Sequence, residues 1–296
     1  MFARIARQYR RYLFGSVLLI VTMAIAFTLG ITPYPEGMTH PVITPLAWFV
    51  LTVLVIGLPV TVLAVLLPGL LPLVELYVLT LLLLALASPP IYAVIGVDLP
   101  GWIDCALLAI AFILVERLLY GPWLAHLWRR DMTARSTTFT LPGTPKDVMP
   151  RLCPTPAQIG MFYWPCANVL PIPEGMSADF VLSLPRDGRA KDDLLAITMD
   201  NLSPPHQVRY RADPMPGSPT PAHCVTIAIT SATEDTSHVT YTRQFLDVLF
   251  GKRLFFYLGN EFRDTIASIR ARLGGRRDWS LQGAQMLKPQ ADTNTG

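Results

Sequence analysis

Long apolar runs bounded by arginines dominate the first 130 residues. No Lys or Arg lies between Tyr12 and Glu116, whereas four arginines precede this window and four follow it: Arg4, Arg7, Arg10, Arg11, Arg117, Arg129, Arg130 and Arg135. A helix needs about 20 apolar residues to cross a bilayer, and a charge at its centre costs about 2.5 to 3.5 kcal/mol on insertion scales. The pattern therefore predicts several membrane-spanning helices with basic ends.

Four apolar runs fill the window, and we interpret each as one helix. Residues that favour turns separate them, mainly proline and glycine, with Asp98–Gly101 before the fourth run. The predicted helices extend from Leu13 to about Ile31, from Leu46 to Leu67, from Leu70 to about Val97 and from Trp102 to Tyr120. Pro59 predicts a kink, and Pro89-Pro90 predicts a break near the end of the third helix.

The arginines also predict the orientation, because positive residues near membrane segments stay in the cytoplasm. We expect an integral protein of a bacterial-type inner membrane, with the N-terminus and the residues after Arg130 in the cytoplasm. In the alternative interpretation the first run is a cleaved signal peptide, with an apolar core at Leu13–Met23 and a cleavage box at Ala24-Ile25-Ala26. Three crossings would then remain, and the C-terminal half would still be cytoplasmic.

Few polar residues fall within the apolar runs. Asp104 and Arg117 are near helix ends, where their side chains reach the headgroup region. Glu75 lies about one turn inside the third helix, where a hydrogen bond to a neighbouring helix is favoured over an ion path. The runs therefore predict an anchor, with membrane lipids as its surroundings, rather than a transport pathway.

After residue 130 the hydrophobic period changes to that of strands. A strand at Thr138–Leu141 leads to a junction at which Thr144 caps a short helix, Pro145 to about Leu152. Between Ala178 and Phe245 apolar and polar residues alternate in successive segments. This alternation predicts an antiparallel meander.

The last predicted element is one amphipathic helix of 22 residues, from Lys252 to Leu273. Its apolar positions recur every three or four residues, at Leu254, Leu258, Phe262, Ile266, Ile269 and Leu273. Gly274-Gly275 supplies residues that end a helix in left-handed geometry. Residues 278–296 are polar and aperiodic, which predicts a disordered tail. The predicted domains are residues 1–130, 131–277 and 278–296.

The order of elements after residue 130 resembles the helix-grip fold of the START-like or SRPBCC superfamily. The resemblance rests on the opening segment Thr138–Val148, the alternation from Phe180 to Phe245 and the closing helix. It implies a curved antiparallel sheet around a long C-terminal helix. The predicted fold class is therefore α+β, with a transmembrane bundle of about four helices followed by a helix-grip domain.

The resemblance also implies an apolar ligand, such as a lipid, a sterol or a polyketide, bound between sheet and helix. Burial of apolar surface yields about 25 cal/mol per Å², so such a cavity needs no charged group. The candidate lining, in which Trp164 is a possible gate, is Trp164, Phe180, Leu182, Val208, Tyr210, Ile227, Val239, Tyr241, Phe255, Phe262 and Ile266. The alternative at each position is a side chain that fills a dry core.

Charge and motifs argue against several other classes. The net charge of +3 is too small to predict nucleic-acid binding. The sequence has no phosphate-binding glycine loop, nucleophile elbow or zinc-ligand spacing, so we predict no catalytic residue, cofactor or metal. We expect Asp192-Asp193 and Asp200 to be solvated at strand ends. Arg243 is either a surface residue or a polar group that orients a ligand.

Three functions remain open. The favoured one is a membrane-anchored module that binds or presents an apolar small molecule at the cytoplasmic face of the membrane. The second is a cyclase- or hydrolase-like enzyme that uses the same cavity and needs an inward-facing Tyr, Arg, Asp or His. The third is a subunit or assembly factor of a membrane complex, with a membrane protein as its partner.

Overall fold

The computed structural model describes residues 2–28, 50–51, 53–95, 101–121, 123, 128–187, 192–203 and 206–286. The chain divides into two compact units. The first contains Met1–Trp128 and Leu249–Glu261, and the second contains Arg129–Val248 and Phe262–Gly296. The chain therefore returns to the first unit late in the sequence, a return that the predicted domain division lacks. The predicted loop between the first two apolar runs lies outside the described residues.

The described part of the first unit is helical. Its helices up to residue 121 are α1 (Phe2–Arg7), α2 (Tyr9–Thr28), α3 (Leu58–Leu66), α4 (Pro72–Ile95) and α5 (Gly101–Tyr120). A π-helical turn at Val53–Gly57 precedes α3, and a 3-10 turn at Pro68–Leu70 separates α3 from α4. Helical structure thus occurs within each of the four predicted runs.

One described helix is long and apolar enough to cross a membrane by length and composition, with its apolar window at Tyr9–Ala26 in α2. Leu54–Leu66 and Pro72–Ala87 form shorter apolar helices. A single such helix near the N-terminus is also found in signal sequences and in the cores of soluble proteins. By this criterion the described residues support one candidate span and do not support the predicted bundle of four.

The prolines in the apolar runs have different outcomes. Pro59 lies in the first turn of α3, directly after the π-helical turn, where its missing N–H is harmless. Pro89 and Pro90 do not break α4, which continues to Ile95. The prediction of a break was wrong, because an apolar helix tolerates proline where the freed carbonyl groups find other partners.

The second unit is built on one antiparallel sheet of seven strands. They are β1 (Arg135–Pro142), β2 (Asn168–Leu170), β3 (Phe180–Leu184), β4 (Asp193–Ser203), β5 (Gln207–Pro214), β6 (His223–Thr233) and β7 (Thr236–Phe245). Their order in the sheet is β1-β7-β6-β5-β4-β3-β2, so β2 to β7 form a meander and β1 pairs with β7. The predicted meander is confirmed.

A short helix, α6 (Pro145–Leu152), follows β1 as predicted. The backbone N–H and the hydroxyl of Thr144 both donate to the Asp147 carboxylate, at 3.2 and 2.6 Å. These hydrogen bonds from Thr144 lower the pKa of Asp147. The local sequence therefore sets the start of this helix through its cap.

The predicted 22-residue helix is in fact two helices, α7 (Phe250–Leu258) and α8 (Glu261–Leu273). Between them Asn260 adopts φ 49°, a left-handed conformation that interrupts the helix. The first of the two helices belongs to the first unit and most of the second belongs to the second unit. The prediction was wrong because apolar spacing continues across Gly259-Asn260, and spacing alone does not register a change of direction.

Within the first unit α7 packs closely against α5. A Cβ atom at Gly251 would lie 2.7 Å from the carbonyl oxygen of Leu119, so only glycine permits this approach. The Arg10 side chain donates to the carbonyl oxygen of Tyr257, at 3.1 Å, and thereby joins α7 to α2. The first half of the predicted helix is therefore a helix of the first unit.

Beyond α8 the structure differs from the predicted disordered tail. Helix α8 ends as expected, with Gly275 at φ 65°. A further short helix, α9 (Leu281–Gln285), then begins with Ser280 as its cap. Met286 is buried and forms a β-bridge with Arg186. Residues up to 286 are thus part of the fold, and residues 287–296 lie outside the described residues.

The core of the second unit is one cluster of buried apolar side chains. It takes residues from β1, from β3 to β7, from α6 and from α8, and it includes Met286. An antiparallel sheet that holds a C-terminal helix in its core fits the helix-grip fold that the resemblance implies. The helix in its core is α8, shorter than predicted.

Candidate functional site

The inner face of the sheet carries polar groups on β5 and β7, the two strands on either side of β6. The register places Tyr210 of β5 opposite Val225 of β6, and Val225 opposite Arg243 of β7. In the next row Ile227 of β6 lies opposite Tyr241 of β7. Because residues two apart share a face, Tyr241 and Arg243 point to the same side as Tyr210.

Two of these side chains, Arg243 and Tyr241, contact α8. Arg243 donates from Nη2 to the Thr265 hydroxyl at 3.1 Å, and its guanidinium lies 4.7 Å from the centre of the Phe245 ring. The Tyr241 and Phe262 rings are 6.3 Å apart, centre to centre. Tyr210, Tyr241, Arg243 and Thr265, which we call the interior polar cluster, therefore span the space between sheet and helix.

Burial decides the protonation state of the groups in this region. Burial raises the pKa of Tyr210 well above 10, nearby Tyr241, Tyr163 and Cys153 add to the rise, and the charge of Arg243 opposes it. Burial also raises the pKa of Cys153 to about 12. At neutral pH the Tyr210 phenol is therefore a hydrogen-bonding group, and the Cys153 thiol is not a nucleophile.

Most of the predicted lining lies in the core cluster of the second unit. The ten predicted residues found there are Trp164, Phe180, Leu182, Val208, Tyr210, Ile227, Val239, Tyr241, Phe262 and Ile266. Their contact with a ligand stays a prediction. Phe255 lies outside this cluster, because α7 belongs to the first unit, where the Phe255 ring lies 4.8 Å from the Arg11 guanidinium.

Trp164, the predicted gate, is buried and has contacts through both its indole nitrogen and its ring. Its side chain is 4% exposed, and its Nε1 donates to the carbonyl oxygen of Pro185 at 3.1 Å. The Arg186 guanidinium lies 5.4 Å from the ring centre. Trp164 is thus part of the core cluster of the second unit, and its role as a gate stays a prediction.

Asp193 was wrongly predicted to be solvated. It is 1% exposed and accepts hydrogen bonds from Arg186 Nη2, at 2.9 Å, and from the hydroxyls of Ser218 and Thr220. Two of these donors come from the proline-rich loop after β5, so their approach to Asp193 was not visible in the sequence. Asp200, by contrast, is exposed, with Arg209 Nε at 3.9 Å.

The first unit contains a buried ion pair. Arg11 Nε in α2 donates to Glu75 Oε1 in α4, and both side chains are at most 1% exposed. The predicted hydrogen bond between Glu75 and a neighbouring helix is therefore confirmed. Arg4 and Arg11, two of the basic residues that precede the first apolar run, are both buried.

A cleft of about 440 Å³ opens between β1 and the C-terminal half of α8. It is lined by Thr140, Leu141, Pro142, Ala267, Arg270, Ala271, Gly274, Arg276 and Arg277. No local sequence pattern indicates this cleft, because its two walls come from opposite ends of the second unit. Among the described residues no group of three or more His, Cys, Asp or Glu is placed to hold a metal ion.

No protein-family model and no curated protein matches the chain. Solved structures match about half of it. A conserved protein from Geobacillus kaustophilus has 17% identity over 48% of this chain and 96% of that chain, with a TM-score of 0.35. Ms6760 from Mycobacterium smegmatis has 9% identity over 48% of this chain and 88% of that chain, with a TM-score of 0.35. DynU16, from the dynemicin biosynthetic locus, has 14% identity over 50% of this chain and 49% of that chain, with a TM-score of 0.34.

These similarities are too low to carry a functional argument. The class of the protein rests on the observed topology, which is an α+β chain with a helical unit and an antiparallel sheet that fits the helix-grip fold.

Proposed function

We propose that the chain is a membrane-anchored binding module for an apolar small molecule. The observation that carries this proposal is the interior polar cluster, in which two tyrosines of the apolar core lie on the same face of the sheet as the partly buried Arg243. Small-molecule sites are mostly apolar, with a few polar groups that orient the ligand. The cluster suits a ligand with an apolar body and one polar group, bound between the sheet and α8.

The surface of the first unit supports membrane anchoring. Many of its large apolar side chains are at least half exposed, among them Leu13, Val17, Ile20, Leu54, Leu58, Leu66, Leu86, Ile110 and Ile113. Soluble proteins rarely expose so many large apolar side chains together, whereas lipid solvates them. We infer that α2 crosses the membrane and that the exposed faces of α3, α4 and α5 contact lipid.

The orientation follows from the basic residues. Arginines near α2, together with Arg129 and Arg130, favour a cytoplasmic N-terminus and a cytoplasmic second unit. Tethering of the second unit to the membrane would then shorten the route of an apolar molecule between the bilayer and the protein.

The experiment uses the full chain, purified in a mild detergent and analysed by native mass spectrometry and organic extraction. We expect an apolar molecule to co-purify. In a Tyr210→Phe/Tyr241→Phe double variant its affinity should fall about thirtyfold and its occupancy should fall accordingly, since two lost hydrogen bonds of about 1 kcal/mol each total about 2 kcal/mol.

Tyr77→Phe serves as the matched control, because Tyr77 is an exposed tyrosine of the first unit. Its occupancy should equal that of the unmodified chain. The proposal fails if no apolar molecule co-purifies, or if the double variant retains as much as the control.

The cyclase- or hydrolase-like alternative gains less support from these residues. A catalytic base needs a pKa near the working pH, but burial moves the pKa of Tyr210 in the opposite direction. The phenol is better suited to orient a bound molecule than to remove a proton from it.

A further inference from the structure

The cleft between β1 and α8 has a basic lining. Arg270, Arg276 and Arg277 are all exposed and all line it. None of the three forms an ion pair with a carboxylate of the described residues, whereas neighbouring Arg272 pairs with Asp278 at 3.1 Å. Three guanidinium groups therefore surround one cleft without internal neutralisation.

Backbone hydrogen bonds and one ring contact order the segment that carries these arginines. The Arg276 N–H donates to the Ala271 carbonyl oxygen at 2.7 Å, and the Gly274 N–H donates to the Arg270 carbonyl oxygen at 3.1 Å. The Arg277 guanidinium stacks 4.1 Å from the centre of the Trp279 ring. Backbone donors already cap these α8 carbonyls, so the arginine side chains are not needed to satisfy them.

Attraction to the negative end of the α8 dipole accounts for only part of this arrangement. It applies to Arg270 in the last turn, but Arg276 and Arg277 follow the helix, and the effect falls off beyond the terminal turn. The cleft also has an apolar wall, formed by Leu141, Pro142, Ala267 and Ala271. A basic rim over an apolar wall matches an anionic group attached to an organic body.

We propose that this cleft binds a phosphate group carried by an organic molecule. Guanidinium groups bind phosphate through paired, charge-assisted hydrogen bonds, and the cleft volume falls within the usual range of small-molecule sites. The phosphate belongs either to the headgroup of an anionic lipid or to a soluble phosphate ester. The cleft is distinct from the interior polar cluster, so phosphate binding does not depend on the proposed apolar ligand.

The test is isothermal titration calorimetry, which measures the affinity of the detergent-purified full chain for three probes. The probes are inorganic phosphate, dihexanoyl phosphatidic acid and dihexanoyl phosphatidylcholine. We expect Arg270→Gln/Arg276→Gln/Arg277→Gln to weaken phosphatidic acid binding about tenfold or more. The matched control is Arg151→Gln/Arg209→Gln/Arg263→Gln, which removes three exposed arginines outside the cleft. Its affinity should stay within about threefold of that of the unmodified chain.

The probes also distinguish the two sources of phosphate. Tighter binding of phosphatidic acid than of inorganic phosphate assigns the cleft to a lipid headgroup, and equal affinity assigns it to a soluble ester. The proposal is overturned if neither inorganic phosphate nor phosphatidic acid binds, or if phosphatidylcholine binds as tightly as phosphatidic acid. It is also overturned if the two triple variants weaken phosphatidic acid binding equally. Should the cleft variant unfold at a lower temperature, Arg276→Gln and Arg277→Gln are tested singly, each with an expected loss of about threefold.

Discussion

Two buried carboxylates organise polar side chains in the second unit. Asp193 accepts hydrogen bonds from Arg186, Ser218 and Thr220. Asp278 accepts hydrogen bonds from the Ser268 hydroxyl at 2.5 Å, the Ser280 hydroxyl and backbone, and Arg272 Nε at 3.1 Å. Asp193 joins β4 to the loop after β5, and Asp278 joins the end of α8 to the start of α9, so each should contribute to stability.

Asp193→Asn should lower the free energy of unfolding by about 3 kcal/mol, because it leaves Arg186 without its charged partner in a largely buried site. Urea unfolding of the full chain in detergent, followed by the near-UV circular dichroism of the second unit, measures this loss. Asp200→Asn is the control, since its ion pair is exposed and should contribute less than about 1 kcal/mol. Equal losses in the two variants would contradict the assigned role.

Asp278 predicts a specific dependence of stability on acid. Burial alone would raise the pKa of Asp278, but hydrogen bonds from Ser268 and Ser280 and the charge of Arg272 outweigh it and lower the pKa. A lowered folded-state pKa contributes stability above the unfolded value of about 3.9, and that stability is lost as the pH falls through the folded value.

Asp278→Asn should therefore destabilise the chain by about 2 kcal/mol at neutral pH, with the difference shrinking below about pH 4. Thermal unfolding from pH 7 to pH 3 tests this. Asp235→Asn, at an exposed turn, should parallel the unmodified chain throughout. A difference that is constant across the pH range would argue against the ionised Asp278 as its source.

At the scale of elements, the break between α7 and α8 decides which residues can reach the core. Asn260 is 3% exposed and adopts φ 49°, a conformation that Asn and Gly accept more readily than other residues do. The break leaves α8 with 13 residues, beginning at Glu261. Phe262 and Ile266 therefore contribute to the core, whereas Phe255 does not.

Substitution at Asn260 tests this break. Asn260→Ala should destabilise the chain by about 1 kcal/mol, because a left-handed conformation is unfavourable for a residue with a Cβ and no compensating polar side chain. Asn260→Gly should be close to neutral, since glycine adopts this conformation without strain. Thermal unfolding measures both variants, and an Asn260→Ala variant as stable as Asn260→Gly would contradict the argument.

The strands and their buried faces were predictable because the inward positions of a half-buried strand recur with period two, as at Val208 and Tyr210. The same rule explains why so much of the predicted lining lies in the core cluster. Asp193 and the arginines of the cleft were not predictable in this way. Their surroundings depend on loops and on the pairing of β1 with β7, and the local spacing of apolar residues predicts neither of these.

At the scale of the whole molecule, the cysteines report on the proposed membrane anchor. Cys105 is exposed on α5 of the first unit, and Cys166 is exposed in the second unit. If lipid surrounds the first unit, Cys105 is covered in the membrane although it is exposed in the protein alone. Cys166 should face the cytoplasm.

A membrane-impermeant maleimide should therefore label Cys166 in inside-out vesicles and not in right-side-out vesicles, whereas Cys105 should react only after detergent is added. The experiment uses a Cys224→Ser background, because Cys224 is partly exposed. Cys153 is the internal control, since it is buried and its pKa is raised to about 12, so it should react only after denaturation. Labelling of Cys166 in right-side-out vesicles would contradict the proposed orientation.

The late return of the chain to the first unit has a consequence for biosynthesis. Residues 249–261, which complete that unit, leave the ribosome only after all seven strands have been made. Until then Arg10 lacks its acceptor on Tyr257, and Arg11 lacks the Phe255 ring. The helical unit therefore cannot complete its fold before the sheet is synthesised, as an ordinary N-terminal domain does. A fragment that starts at Arg129 would contain α7 without the other helices of the first unit, against which it packs.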